Sequence, residues 1–490
     1  MTTTNKSKWA ACAAFTILAG PVGAALGPTD TPELILKISG STIWDNNFAT
    51  VLNAICLPDT LSSYVDGDVN GKGTYWKAWF CQIDGDQVAG LGLKNPKTLI
   101  LKRNRNGMIT GVAPLLEPAK SIKFMDIRNT GQCALNEGST NAYTCRTSQQ
   151  GDLIDSAPDV GVLDIDPYLM HDSNYTKKID GVAFQEPNPE RMKTELQVTN
   201  AGGVVQNTPV SLNLRDALQA AQVAEGKLAS HCVGDESLAC IPSLEKSFLT
   251  KVFLGQVFRW SEVAYAGKPL TQYAQAPLDT DVVHVCRRNK GASTQAAINS
   301  YFLRNPCSTS GGTPVEISNP RFGPVVVAPG QVTEEEKCLD DFSANTNNSW
   351  LNNSGRAWAV GMLTTERNKD FKYQYRYIKI DGVEPSVEKV FSGDYPYFSE
   401  AAFAWRKAAP KLGGDLLVLA KKIAGDATTP ALFGALNAKI SQPFGNGSFI
   451  ATAGQGYTAP AVFNPALPIT PFTHQPAGHL LDNCIIPVRQ

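Results

Sequence analysis

Apolar positions recur with two different periods along this chain. The run ELILKIS (Glu33 to Ser39) has strand length. After the small residues Gly40, Ser41 and Thr42, the apolar residues Phe48, Val51, Leu52 and Ile55 follow helical spacing. The first unit therefore reads as strand, small-residue turn, helix. From 58 to 97 the texture shifts to Gly, Asp and aromatic residues, which predicts a loop-rich insertion. Strand-like runs follow at TLILKR, SIKFMDI and DVGVLDIDP (Asp159 to Pro167), the last ending in acids. After the paired Gly202 and Gly203, GGVVQNTPVSLNL reads as extended chain before the helical RDALQAAQVA, a candidate crossing between domains. SLEKSFLTKVFLGQVFRW reads as helical, with an interruption at Gly255. DVVHVCRR is strand-like, and STQAAINSYFLR is a helix with Ala297, Ile298, Tyr301 and Phe302 near one face, stopped by Asn305 and Pro306. RAWAVGMLTT and YRYIKI read as strands, and DLLVLAKKIA as a helix. Strands alternating with helices predict an α/β architecture with mostly parallel sheets.

The first residues change this picture. Lys6 and Lys8 precede the apolar run WAACAAFTILAG, and small residues follow near Ala24 and Ala25, so 1–25 reads as a cleaved export signal. Its removal takes the formal net charge from −1 to −3, which speaks against a nucleic-acid partner. It also leaves ten cysteines: Cys56, Cys81, Cys133, Cys145, Cys232, Cys240, Cys286, Cys307, Cys338 and Cys484. An even count in an exported chain favours disulfides. Neighbour pairing is expected, with Cys338 joined to Cys484 to tie down the C-terminal tail. Localisation to the periplasm or secretion follows from the same residues.

Candidate chemistry concentrates in VCRRNKGAST. The first amides of a helix have no internal acceptor, and the helix dipole makes that end attractive to anions. Gly291 and Ala292 let backbone approach a ligand, Ser293 and Thr294 add hydroxyls, and Arg288 at the strand end offers a charge-assisted pair to an oxyanion. Arg287 and Arg288 point to opposite faces of the strand, so at most one serves this socket. The turn at Ser41 and Thr42 repeats the same logic. DGDVNG (Asp66 to Gly71) matches half of a calcium loop, but Lys77 stands at the twelfth position where a bidentate Glu is needed, so an ordinary turn is expected. His171, His231, His284, His474 and His479 form no H-E-x-x-H pattern, and no G-x-S-x-G elbow is present, so neither metal, cofactor nor catalysis is expected. His231 beside Cys232 reads as part of a disulfide hairpin.

Three ordered blocks resemble the phosphate-binding solute receptors of bacterial ABC importers, within the type 2 periplasmic binding proteins. LTKVFLGQVFRWSEVA (Leu249 to Ala264) is similar to that family's helix and YxGxIxxW stretch, and VCRRNKGAST to its R-R/S-x-x-G-S-G-T. YIKIDGVEPSVEKVFSGDYPYFSE (Tyr377 to Glu400) is similar to its I-x-G-V-x-P segment. The resemblance implies two α/β lobes, each a mostly parallel sheet flanked by helices, with an oxyanion held between them. Lobe 1 would cover 26–205, with the insertion at 58–97; lobe 2 would cover 206–360; 361–490 would return to lobe 1 and add a C-terminal extension. It places Ser41, Thr42, Arg288, Gly291 and Thr294 on phosphate, and puts Asp164 where an aspartate accepts a hydrogen bond from the protonated phosphate. A further family serine falls near Thr147 or Ser148. The sequence departs at Ala292, where a serine is expected, at Ser293, where a glycine is expected, and at Leu163. The implied function is a non-enzymatic, exported receptor for phosphate or a related oxyanion, partnered by an inner-membrane ABC permease. The alternatives are a diverged binding-protein scaffold acting in extracellular or surface interactions, and a secreted phosphate-ester hydrolase.

Overall fold

The computed structural model describes residues 24–67, 73, 75–129, 131–316 and 323–490. Nearly all of the expected leader, and most of the Asp66 to Gly71 turn, lie outside these residues. No helix among the described residues is long and apolar enough to cross a membrane.

The strands of the two main sheets are, in chain order, β1 (Leu34–Gly40), β2 (Ser62–Asp66), β3 (Trp76–Gln82), β4 (Lys97–Arg103), β5 (Cys133–Leu135), β6 (Ala142–Cys145), β7 (Val160–Leu163), β8 (Leu196–Asn207), β9 (Val210–Ser211), β10 (His284–Cys286), β11 (Val325–Val327), β12 (Ala359–Val360), β13 (Leu363–Thr364), β14 (Tyr375–Arg376), β15 (Phe398–Arg406), β16 (Phe449–Thr452) and β17 (Ile469–Thr470). A 12-stranded sheet runs β17-β16-β8-β15-β7-β1-β4-β3-β2-β6-β5, with β13 added against β8. A 5-stranded sheet runs β11-β10-β12-β9-β14. The helices that matter here are α1 (Asp45–Ile55), α2 (Leu212–Ala224), α3 (Lys246–Phe253), α4 (Ser293–Leu303), α5 (Val332–Ala344) and α6 (Gly414–Asp426).

This is a two-lobed α/β fold. Its sheets are parallel at their centres, where β1 lies between β4 and β7, and β10 between β11 and β12. Antiparallel strands extend both sheets, including the β8–β15 pair that carries the chain between lobes. The central strands are buried on both faces, which is why their sequences are nearly continuous apolar runs. Leu99 and Leu101 of β4 enter one core while Ile100 enters the other, and Ala402 and Ala404 of β15 are likewise split from Phe403 and Trp405. In the second lobe Val285 packs with α2 and α3, whereas Cys286 packs with α5.

One reading needs correction, the disulfide pairing, and two gain detail. The 58–97 segment carries two strands within its loops: β2 and β3 widen the first sheet, because Trp76, Ala78, Phe80 and Tyr64 supply a strand-period apolar face. After Gly361 the chain touches both sheets: β13 pairs with β8 of the first, β14 with β9 of the second, and β15 rejoins the first at Phe398. The disulfides Cys56–Cys81, Cys133–Cys145 and Cys232–Cys240 join neighbours, but the others are Cys286–Cys338 and Cys307–Cys484. Parallel packing of β10 against α5 brings Cys286 to Cys338, and this leaves Cys307, just past α4, for the tail.

Helix α4 is buried around almost its whole circumference rather than on one face. Both lobes pack on it: Ala296 and Ala297 join the first-lobe core, while Ile298, Phe302 and Leu303 join that of the second. The Cys307–Cys484 bond then pins the end of α4 to the C-terminal segment across a sequence separation of 177 residues. Closing so long a loop removes much entropy from the unfolded chain, so Cys307→Ser is expected to lower stability by about 2–4 kcal/mol. Denaturant unfolding of the oxidised wild type against the variant checks this, and an unchanged midpoint would refute it.

Candidate functional site

The C-terminal ends of β1, β4 and β7 open at one edge of the first sheet, and that of β10 opens opposite them. Such edges are where α/β folds hold ligands. Gly40 ends β1 at a positive φ of 122°, and a Cβ there would stand 2.1 Å from the Val162 carbonyl oxygen. Only glycine lets β1 and β7 approach this closely, and the approach sets Ser41 beside Asp164. The Ser41 amide donates to the Val162 carbonyl (2.8 Å), so it is the Ser41 hydroxyl that faces the site. Thr42 is exposed and stands outside this buried set. The helix begins later than expected, at Asp45.

Asp164 follows β7. Its backbone carbonyl accepts from the Ser399 hydroxyl (2.9 Å), which in turn accepts from Gln206 Nε2 (2.8 Å). The two crossing strands β8 and β15 thus hold the aspartate in place. Asp164 retains partial exposure, yet its Oδ1 is buried with no hydrogen-bond partner among the described residues. Burial raises its pKa, against the opposing pull of the Ser293 and Ser41 hydroxyls and of Arg288. Leu163 is accounted for by packing: it is fully buried in the first-lobe core.

Arg287 and Arg288 do diverge. Arg287 lies in the field of Glu316, and Arg288 in that of Glu335 and Asp164. Arg288 is buried, and its Nη2 donates to the Gly330 carbonyl (2.6 Å) just before α5. Its Nε has no partner, and no carboxylate lies within 4.0 Å of its guanidinium among the described residues. Burial alone would depress its pKa; Glu335 and Asp164 hold the charge on it. The site therefore contains a buried cation between two acids that it does not contact.

Gly291 turns the chain at φ 93°, where a Cβ would meet Ile109 Cγ2 at 2.8 Å. Its amide donates to Asn174 O (2.9 Å) and its carbonyl accepts from Ile109 N (3.0 Å). The Ala292 amide goes to Asn289 O (3.3 Å). These two backbone donors therefore serve lobe contact and turn geometry. Ser293 and Thr294 open α4, whose first-turn amides have no intrahelical acceptor. Ser293 lies beside Asp164, and the Thr294 hydroxyl is buried and unpartnered.

Three contributors escape sequence reading. Lys102, 1% exposed, donates from Nζ to Ser41 O (2.8 Å) and to Asn104 Oδ1, and faces Asp45 at 3.6 Å. Burial pulls its pKa down to about 8, with Asp45 opposing. It braces the first turn from behind. Glu335 (0% exposed) and Tyr397 (2%) each present a buried oxygen without a partner. In the sequence Glu335 is only one of three consecutive acids, in a stretch that reads as loop. Thr147, by contrast, follows β6, five strand positions from β7 and so roughly 24 Å away. His231, Cys232 and Cys240 cluster, but both sulfurs belong to the disulfide.

No family model matches the chain, and no curated protein matches it. Solved structures do. A Clostridium perfringens protein described as a phosphate ABC transporter substrate-binding protein, solved with bound phosphate, is 10% identical at a TM-score of 0.40, over 84% of this chain and 99% of that one. An ABC-type phosphate transport receptor from Vibrio cholerae is 9% identical at a TM-score of 0.39, over 84% and 99%. PstS from Borrelia burgdorferi is 9% identical at a TM-score of 0.33, over 83% and 97%.

Proposed function

We propose that this chain is an exported, non-enzymatic solute-binding protein that captures phosphate or a related oxyanion between its lobes for uptake through an inner-membrane ABC permease. The observation that carries this reading is Arg288: a buried guanidinium with no ion pair among the described residues, beside the first turn of α4 and within the field of Asp164. Uncompensated burial of such a charge costs several kcal/mol, so its natural complement is an anion. Ser41, Ser293 and Thr294 bring hydroxyl donors from both lobes to the same place. Asp164 supplies specificity. A carboxylate acceptor tolerates an anion that still carries a proton, as phosphate does near neutral pH, but opposes fully ionised sulfate.

Calorimetric titration of the purified, disulfide-intact protein tests this. Phosphate and arsenate are expected to bind, and sulfate to bind at least about tenfold more weakly. Absence of both heat and thermal shift at millimolar phosphate would overturn the reading. It would favour instead a binding-protein scaffold used for surface interactions, a role that the lobe-bridging Cys307–Cys484 bond and the Ile109–Gly291 contact would suit.

A further inference from the structure

Glu335 lies in the first turns of α5, the helix whose preceding carbonyl at Gly330 receives Arg288. It is fully buried, and one of its oxygens is accounted for: Oε1 accepts from the Met362 amide (2.8 Å). The other, Oε2, is buried without a partner, as are Arg288 Nε, Asp164 Oδ1, Thr294 Oγ1 and Tyr397 Oη. All but Thr294 Oγ1 belong to residues that interact electrostatically in a chain, Asp164 with Arg288, Arg288 with Glu335, and Glu335 with Tyr397. Unpartnered polar atoms are rare in folded interiors. Four residues from four separate segments, linked through Arg288 and Glu335 and each with such an atom, mark a buried polar cluster with Glu335 inside it.

We propose that Glu335 is a second carboxyl group of the oxyanion socket, kept protonated so that its O–H donates to the bound anion beside Arg288, and that its ionisation at alkaline pH releases the anion. This rests on the oxyanion reading above and adds to it a residue and a pH response. The groups facing Glu335 decide its charge. Arg288 from the end of β10 and Arg367 from the segment after β13 favour ionisation, as does the Met362 amide. Neighbouring Glu336 opposes it, and Tyr397 presents a neutral phenol. Glu336 already takes Arg367 as its own partner, which weakens that cation's influence on Glu335. Burial outweighs the remainder and lifts Glu335 to about 8. A neutral carboxyl can donate to an anion, whereas a carboxylate in the same place repels it.

The test is phosphate affinity by calorimetry from pH 6.5 to 9 for the full-length oxidised protein and for Glu335→Gln. Glutamine keeps an acceptor for Met362 and a donor for the anion but cannot ionise. A group titrating near 8 is about nine-tenths ionised at pH 9, so the wild type is expected to lose about tenfold more affinity than Glu335→Gln between pH 7 and 9. Phosphate's own second ionisation acts equally on both and cancels in the comparison. Glu335→Ala is a second variant without a titrating group. It is expected to bind about tenfold more weakly at pH 7 but to show the same shallow alkaline limb. Parallel pH profiles for wild type and a folded variant would overturn the assignment of Glu335 while leaving oxyanion capture standing. Wild type that binds no phosphate at any of these pH values would overturn both.

Discussion

Replacing Arg288 by alanine is expected to weaken phosphate binding by about thirtyfold to several thousandfold, the 2–5 kcal/mol typical of removing one partner from a buried charge pair. The size of the effect follows from the setting. Arg288 is 9% exposed, its side-chain hydrogen bond among the described residues goes to a backbone carbonyl, and its loss takes away the charge-assisted donor that faces the anion. Arg288→Lys keeps the charge but not the planar fork, and is expected to recover only part of the loss. Circular dichroism should show both variants folded at neutral pH, because lysine keeps the cation, and in the alanine variant Glu335 is already held neutral by burial and Asp164 can take up a proton. Calorimetry in which Arg288→Ala binds phosphate as tightly as wild type would place the socket elsewhere.

The two strand-turn-helix units at Ser41 and at Arg288 to Thr294 were legible because their determinants are local. An apolar strand run, a glycine at positive φ and hydroxyls before a helix all lie within a dozen residues. The opposite facing of Arg287 and Arg288 fits extended chain carried on past β10, where the Arg287 amide donates to the Val327 carbonyl. What could not be read depends on contacts across the sequence. Lys102 looks like the polar end of a strand until the Ser41 carbonyl and Asp45 are brought to it. Glu335 sits in an ordinary acidic first turn, suited to the helix dipole, until β10 delivers Arg288 beside it. Cysteine pairing is spatial in the same way, which is how Cys338 came to Cys286 and Cys484 to Cys307. Thr42 marks the limit of motif reasoning. The first turn is where it was expected, but the helix starts three residues further on, and the residue faces solvent.

Glu400 governs how firmly the site is anchored, and Glu400→Ala is expected to destabilise the protein by about 3–5 kcal/mol in urea unfolding at pH 7. The carboxylate is fully buried on β15, where it gathers donors from three other segments: Asn200 Nδ2 on β8 (2.9 Å), the Thr452 hydroxyl on β16, and the Thr473 hydroxyl (2.8 Å) and the His474 amide in the C-terminal segment. His474 Nδ1 stands 3.3 Å away. Truncation would leave these donors buried without an acceptor. Burial pushes the Glu400 pKa up, but the donors, His474 foremost, outweigh it and hold the group below its ordinary 4.5. A depressed folded pKa gives stability that is complete above the unfolded value and is lost as pH falls through the folded one. Wild type is thus expected to lose stability on acidification below about pH 4.5, and Glu400→Ala to show a shallower loss over the same range. The disturbance should reach the site. Asn483 Oδ1 accepts from the Glu400 amide (2.8 Å), and the Asn483 amide donates to Asp166 (2.7 Å), two residues from Asp164. Hydrogen exchange at Asp164 to Asp166 should therefore quicken in Glu400→Ala. A variant with wild-type protection there, and a wild-type midpoint, would mean that this network is not what fixes the aspartate.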